Sequence, residues 1–227
     1  MRKKNISFIT LLPFLCLLSV LGQGCRQSST ERGMLCIQLG DYVLAQHFFS
    51  QVLENYPGDF RARLGLGKAL LQQAIVNTND TQAWKEALTN LEAARTIDPS
   101  AHIADLLGSA WCERGRALLS FRDTVGALTA LQRSLEYDAK NIVPLNLAGT
   151  IYFHLGEADK SEALFKKAIE IDSASAPAFF NLGMVAYSEG RLTFAHDAWA
   201  RALTRAPKDE DILYWFSLSE KQLREAR

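Results

Sequence analysis

Small residues recur along this chain at intervals that fit helical hairpins. Gly33, Gly67, Gly108, Gly149 and Gly183 are separated by 34, 41, 41 and 34 positions, and a further 34 reaches the small Ser217. A second ladder follows the first: Ala45, Ala87, Ala127, Ser161 and Ala195, each trailed four residues later by a bulky side chain, Phe49, Leu91, Leu131, Phe165 and Trp199. Three residues beyond stand Val52, Ala94, Ser134, Ala168 and Ala202, and Pro57, Pro99, Ala139, Ser173 and Pro207 close the units. A fixed period with small residues facing bulky ones predicts antiparallel helix pairs that bury one face internally and one against the next pair. At 48% apolar residues with only 6 prolines, the chain has the material for such a core and for long helices.

These positions resemble the tetratricopeptide repeat. The last unit carries the pattern most fully, with Phe179, Leu182, Gly183, Gly190, Ala195, Trp199, Ala202 and Pro207. The preceding unit matches at Gly149, Tyr152, Gly156, Phe165 and Ala168, and the first at Gly33, Gly40, Tyr42, Ala45, Phe49 and Pro57. The resemblance implies an all-α fold, a right-handed α-solenoid of about five hairpins over 32–209, with units at 26–59, 60–100, 101–141, 142–175 and 176–209. Residues 210–227 are expected to form a C-terminal capping helix, with Leu213, Phe216 and Leu218 inward and Glu220, Lys221, Arg224 and Glu225 in water. Ser28 and Glu31 have capping-box spacing for the start of the first helix. The two 41-residue units exceed the repeat by seven residues, two helical turns, so an insert split evenly lengthens each helix of the pair by about one turn and keeps its phase. Leucine at Gly183 or Ala195 is expected to overpack the pair by about 1–3 kcal/mol.

The start of the chain reads differently. Arg2, Lys3 and Lys4 precede an uncharged apolar run from Ile6 to Leu21 that Pro13 interrupts, and Gly22 and Gly24 follow. That is an export signal over 1–24; a run of about sixteen residues falls short of the roughly twenty a spanning helix needs. Cleavage after Gly24 would leave Cys25 first, which resembles the lipobox of bacterial lipoproteins, although Leu21 stands one place earlier than that motif has it. The resemblance implies lipidation of Cys25, with 25–31 as tether and the repeats membrane-anchored in the cell envelope facing the periplasm; a soluble periplasmic or secreted protein is the alternative.

Formal charge is balanced, 25 basic against 25 acidic residues, and loss of 1–24 removes three basic groups, so no nucleic-acid partner is expected. After that loss Cys25, Cys36 and Cys112 remain, an odd count without the spacing of a disulfide framework. His47, His102, His154 and His196 lie in different units without cysteine or carboxylate at ligand spacing, so no metal site is expected. No nucleophile elbow, HExxH or phosphate loop occurs; Gly65-Leu66-Gly67 is half of a dinucleotide fingerprint inside a helix pair. The expectation is a non-enzymatic scaffold without cofactor or small-molecule substrate.

In tetratricopeptide-repeat proteins the first helix of each pair lines the concave groove. The resemblance therefore implies a partner-binding groove of Asn146, Thr150, Phe153, His154, Phe180, Asn181, Met184 and Tyr187, and a mixed-charge zone of Arg61, Lys68, Asp105, Glu113 and Arg116. An apolar groove with a few amides suits a protein or peptide partner, whose backbone Asn146 and Asn181 would hold. Helical spacing alone leaves open whether Phe180 and Tyr187 face the groove or pack on the following helix. Only Lys68 is placed like the paired lysines that clamp a peptide's terminal carboxylate, so that mode is not expected.

Overall fold

The computed structural model describes residues 28–99 and 101–226, and of Ala101 the backbone. Cys25, the export signal expected at 1–24 and the first part of the expected tether lie outside the described residues. Eleven helices and no strand occur among those described: α1 Ser29–Gln38, α2 Tyr42–Asn55, α3 Phe60–Val76, α4 Thr81–Ile97, α5 Ala101–Ser120, α6 Thr124–Tyr137, α7 Ile142–His154, α8 Ala158–Ile171, α9 Ala176–Ser188, α10 Leu192–Arg205 and α11 Glu210–Glu225. Their starts are chemically specified. Ser28 and Glu31 form the expected reciprocal capping box, and Asp41, Asp59, Asp80, Asp123, Asn141, Ser175 and Asp209 each accept a backbone N–H at the N-terminus that follows. The turns after α1, α7 and α9 place Gly40, Gly156 and Gly190 at φ of 77°, 75° and 74°, with open space where a Cβ would stand, so backbone conformation selects these glycines. Arg122 occupies the matching turn of unit three at φ 60°.

Among the described residues, substantial helix contacts run only within a unit or to the next one. Ala45, Ala87, Ala127, Ser161 and Ala195 are completely buried, as are Phe49, Leu91, Leu131 and Trp199, with Phe165 nearly so. A Cβ built at Gly33, Gly149 or Gly183 would sit 2.7, 2.7 or 2.4 Å from the ring of Phe49, Phe165 or Trp199. Absent side chains on the first helix therefore make room for a ring on the second. Between units, Tyr137 donates a hydrogen bond from α6 to the Glu92 carboxylate on α4, and burial first, then that bond, pushes its phenol up to about 12.

Unit three corrects the ladder. Gly115, not Gly108, lies against Leu131, its built Cβ 2.9 Å from Cδ2, whereas the nearest atoms to a Cβ on Gly108 are 3.4 Å away on Ser134 and Tyr137. The extra seven residues are not shared between the two helices there: α5 has 20 residues and α6 has 14, so all the growth is at the N-terminal end of α5. Seven residues turn a helix by about 700°, within about 20° of two full turns, so Gly108 keeps the same stripe two turns earlier. Its carbonyl instead accepts the Ser134 hydroxyl at 2.7 Å. In unit two the even split holds, with α3 and α4 each 17 residues long.

α11 caps the array through a stripe that keeps Phe216 of the expected one and replaces Leu213 and Leu218. Ile212 and Ser219 are buried and Trp215 and Phe216 half-buried, while Leu213 is 39% exposed and Ser217 is exposed. His196 of α10 ties this stripe down: its ring stacks on Phe216 at 4.6 Å and its Nδ1 lies 2.9 Å from Ser219 Oγ. Cys36 and Cys112 are buried in separate core clusters.

Candidate interaction groove

The groove surface is built by first helices. α7 begins at Asn141 as N-cap and α9 at Ser175 with Pro177 in its first turn, which fixes both entry points and sets the two helices side by side. Between them lies an open cavity of about 170 Å³, lined by Thr150, Phe153, His154, Phe180, Asn181 and Met184 and floored by Phe165 from α8. Six of the eight groove residues expected from the sequence therefore meet in one place. The Phe153 and His154 rings pack edge to face at 5.6 Å. Thr150 turns its hydroxyl back to the Asn146 carbonyl at 2.9 Å, which spends its hydrogen on its own helix. The Asn181 amide takes no partner among the described residues and remains able both to donate and to accept.

Asn146 sits one turn below this cavity, half-buried, with its Oδ1 sealed from solvent and receiving no hydrogen bond from a described residue. An acceptor left so has lost its water without gaining a donor, a cost of about 1–3 kcal/mol unless a partner supplies one. Tyr187 belongs elsewhere. Its ring packs on Trp199 and Trp215 at 5.7 and 5.4 Å, and its hydroxyl accepts the Gln222 amide at 3.0 Å, so it joins α9 to the cap rather than opening onto the groove. The Trp199 indole N–H donates to the Phe180 carbonyl at 3.1 Å and stiffens the same junction.

The mixed-charge zone is divided. Arg61 and Lys68 border a larger cavity of about 400 Å³ between α1 and α3, together with Glu31, Met34, Leu35 and Leu64. Glu113 and Arg116, 3.6 Å apart on α5, edge a separate cavity of about 170 Å³ beside Trp84, while Asp105 borders neither. The cavity between α1 and α3 was not foreseen. Its signal was Gly65, whose missing side chain leaves room for Phe49 of the previous unit, a built Cβ falling 2.3 Å from that ring. Among the described residues no three His, Cys, Asp or Glu side chains gather as metal ligands would.

Family models of the tetratricopeptide repeat match residues 30–102 and 144–175. These two segments are tetratricopeptide repeats, and the chain around them has the helical-hairpin fold of a repeat solenoid. Solved tetratricopeptide-repeat proteins share its fold: MamA at 22% identity, covering 78% of this chain and 95% of its own, with a TM-score of 0.55; and YrrB, a repeat protein with an unusual peptide-binding site, at 19% identity over 86% of this chain and 95% of its own, with a TM-score of 0.57. The first repeat domain of Spaghetti, bound to an HSP90 peptide, covers 53% of this chain and 95% of its own at 16% identity, with a TM-score of 0.51. No curated protein is significantly similar to the chain in sequence. Tetratricopeptide repeats serve generally as non-catalytic protein-interaction modules, and that is the role this solenoid's fold supports.

Proposed function

We propose that this solenoid is a scaffold of the bacterial cell envelope, anchored through lipid on Cys25, that recruits or stabilises a protein assembly by holding an extended peptide segment between α7 and α9. The observation that carries the groove reading is the cavity in which Phe153, Phe180 and Met184 supply apolar area and Asn181 an unengaged amide. A peptide strand needs both: burial for its side chains and an amide for a backbone that would otherwise be desolvated. Peptide binding by YrrB and by the Spaghetti domain supports this use of the fold.

A photo-crosslinking residue in place of Met184 in living cells tests the groove. A discrete adduct with another polypeptide is expected, reduced several-fold by Asn181→Ala and undiminished by Lys166→Ala on α8. The groove reading fails if Met184 yields no adduct, or if the adduct is indifferent to Asn181. The anchor is tested separately by radioactive palmitate: label in the parent chain and none in Cys25→Ala supports it, and equal label in both removes it. Release of the protein with the soluble envelope fraction without detergent would favour a soluble periplasmic or secreted peptide-binding module.

A further inference from the structure

α11 has two faces, and the other described helices engage only one of them. Its inner stripe of Ile212, Trp215, Phe216 and Ser219 is engaged by α9 and α10. Its outer stripe of Glu210, Leu213, Tyr214, Ser217, Leu218 and Lys221 borders an open groove to which no other described helix contributes. Tyr214 is 62% exposed there and Leu213 39%. Ser217 stands 34 residues after Gly183, at the position where Gly33, Gly149 and Gly183 each admit a ring from their own second helix.

The positions of this stripe are symmetric about its middle. Reversed about a point between Trp215 and Phe216, Glu210 meets Lys221, Leu213 meets Leu218 and Tyr214 meets Ser217. Every match is complementary: acid with base, leucine with leucine, a large ring with a small side chain. Antiparallel pairing also sets opposite ends of the two helix dipoles together.

We propose that this stripe binds the same stripe of a second copy of the chain, the two α11 helices antiparallel about a two-fold axis between Trp215 and Phe216. An isologous contact of this kind must be self-complementary, since each residue meets its partner twice. The Tyr214 ring of each copy enters the space above Ser217 of the other, repeating across the axis the ring-over-small-residue fit used inside the units. Lys221 leaves its long 3.9 Å contact with Glu225 for Glu210 of the other copy. A strip of about three turns, about 16 Å long, is at the small end of specific interfaces, so the dimer is a weak one. It rests on a different surface from the peptide groove and stands or falls apart from it.

Sedimentation equilibrium of the full chain, in density-matched non-ionic detergent so that the apolar Ile6–Leu21 segment does not itself associate, reads the prediction. Over roughly 10 to 500 µM, the range for a weak contact, the protein mass rises toward twice the 25.3 kDa of one chain. Glu210→Lys alone, or Lys221→Glu alone, sets like charges together twice and weakens association about tenfold or more. The double exchange Glu210→Lys with Lys221→Glu restores it to within about threefold, with helicity unchanged throughout. A mass that stays at one chain over the whole range overturns the proposal, as does an association that the single exchanges leave unaltered or that the double exchange fails to restore.

Discussion

The same substitution, glycine to alanine, should have opposite effects at two positions that the repeat spacing treats as equivalent. Alanine favours a helix interior over glycine by about 1 kcal/mol. At Gly108 the new methyl would meet its nearest neighbours at 3.4 Å, ordinary contact, so most of that gain is kept. At Gly183 it would lie 2.4 Å from Trp199 Nε1 and 2.7 Å from Cδ1, on an indole that is completely buried and hydrogen-bonded to the Phe180 carbonyl. Moving that ring costs about 1–3 kcal/mol in overpacking and about 1 kcal/mol for the loosened hydrogen bond, so the net loss is about 1–3 kcal/mol. For a chain of this size 1 kcal/mol moves Tm by about 2–4 °C, which gives a rise of about 1–3 °C for Gly108→Ala and a fall of about 2–12 °C for Gly183→Ala. Thermal unfolding followed by far-ultraviolet circular dichroism measures both. A drop for Gly108→Ala, or an unchanged Tm for Gly183→Ala, would refute the assignment of the packing glycines.

Two further outcomes follow from single groups. Asn146→Leu should leave Tm unchanged or raise it by up to about 3 °C, because it removes the undonated buried acceptor, yet it should weaken peptide capture in a crosslinking assay; a large loss of stability would mean that the amide is satisfied in the fold. Glu162 of α8 pairs with Arg191 at the α9–α10 turn and with Lys166, and the Arg191 hydrogen bond, before any other influence, holds its carboxyl below the usual 4.5. A depressed carboxyl contributes stability above its unfolded value and loses it as pH falls through the folded one, so Glu162→Gln should cost about 0.5–1 kcal/mol at pH 7 and flatten the decline below about pH 4.5. Parallel acid limbs for the two proteins would rule the pair out as a source of that decline.

Much of the fold could be read from the chain because its units repeat, and repetition shows which positions are buried without showing what covers them. Ala45, Phe49, Ala195 and Trp199 follow directly from small-against-large packing. Gly108 misled because two helical turns are nearly a whole number of heptad steps: a seven-residue insertion leaves the stripe intact, and phase cannot say whether it entered one helix or both. In α11 the run Ile212-Leu213-Tyr214-Trp215-Phe216 is apolar on every side, so amphipathicity left the inward stripe undetermined until α10 supplied His196 to meet Ser219. The groove was legible as a set because first helices carry it, and Thr150, Phe153, His154, Phe180, Asn181 and Met184 do converge. Tyr187 was not, since its environment depends on Trp215 and Gln222 from a helix outside the repeats.

Because substantial contacts among the described residues never reach beyond the adjacent unit, the array they form has low contact order: no pairing in it waits for distant parts to find each other, and little loop-closure entropy opposes any step. Each hairpin can dock on the one before it as it becomes available, so ordering can spread from any nucleus toward either end. The same locality sets the mode of failure, for a lesion inside one unit cuts the array into two cooperative blocks on either side of it.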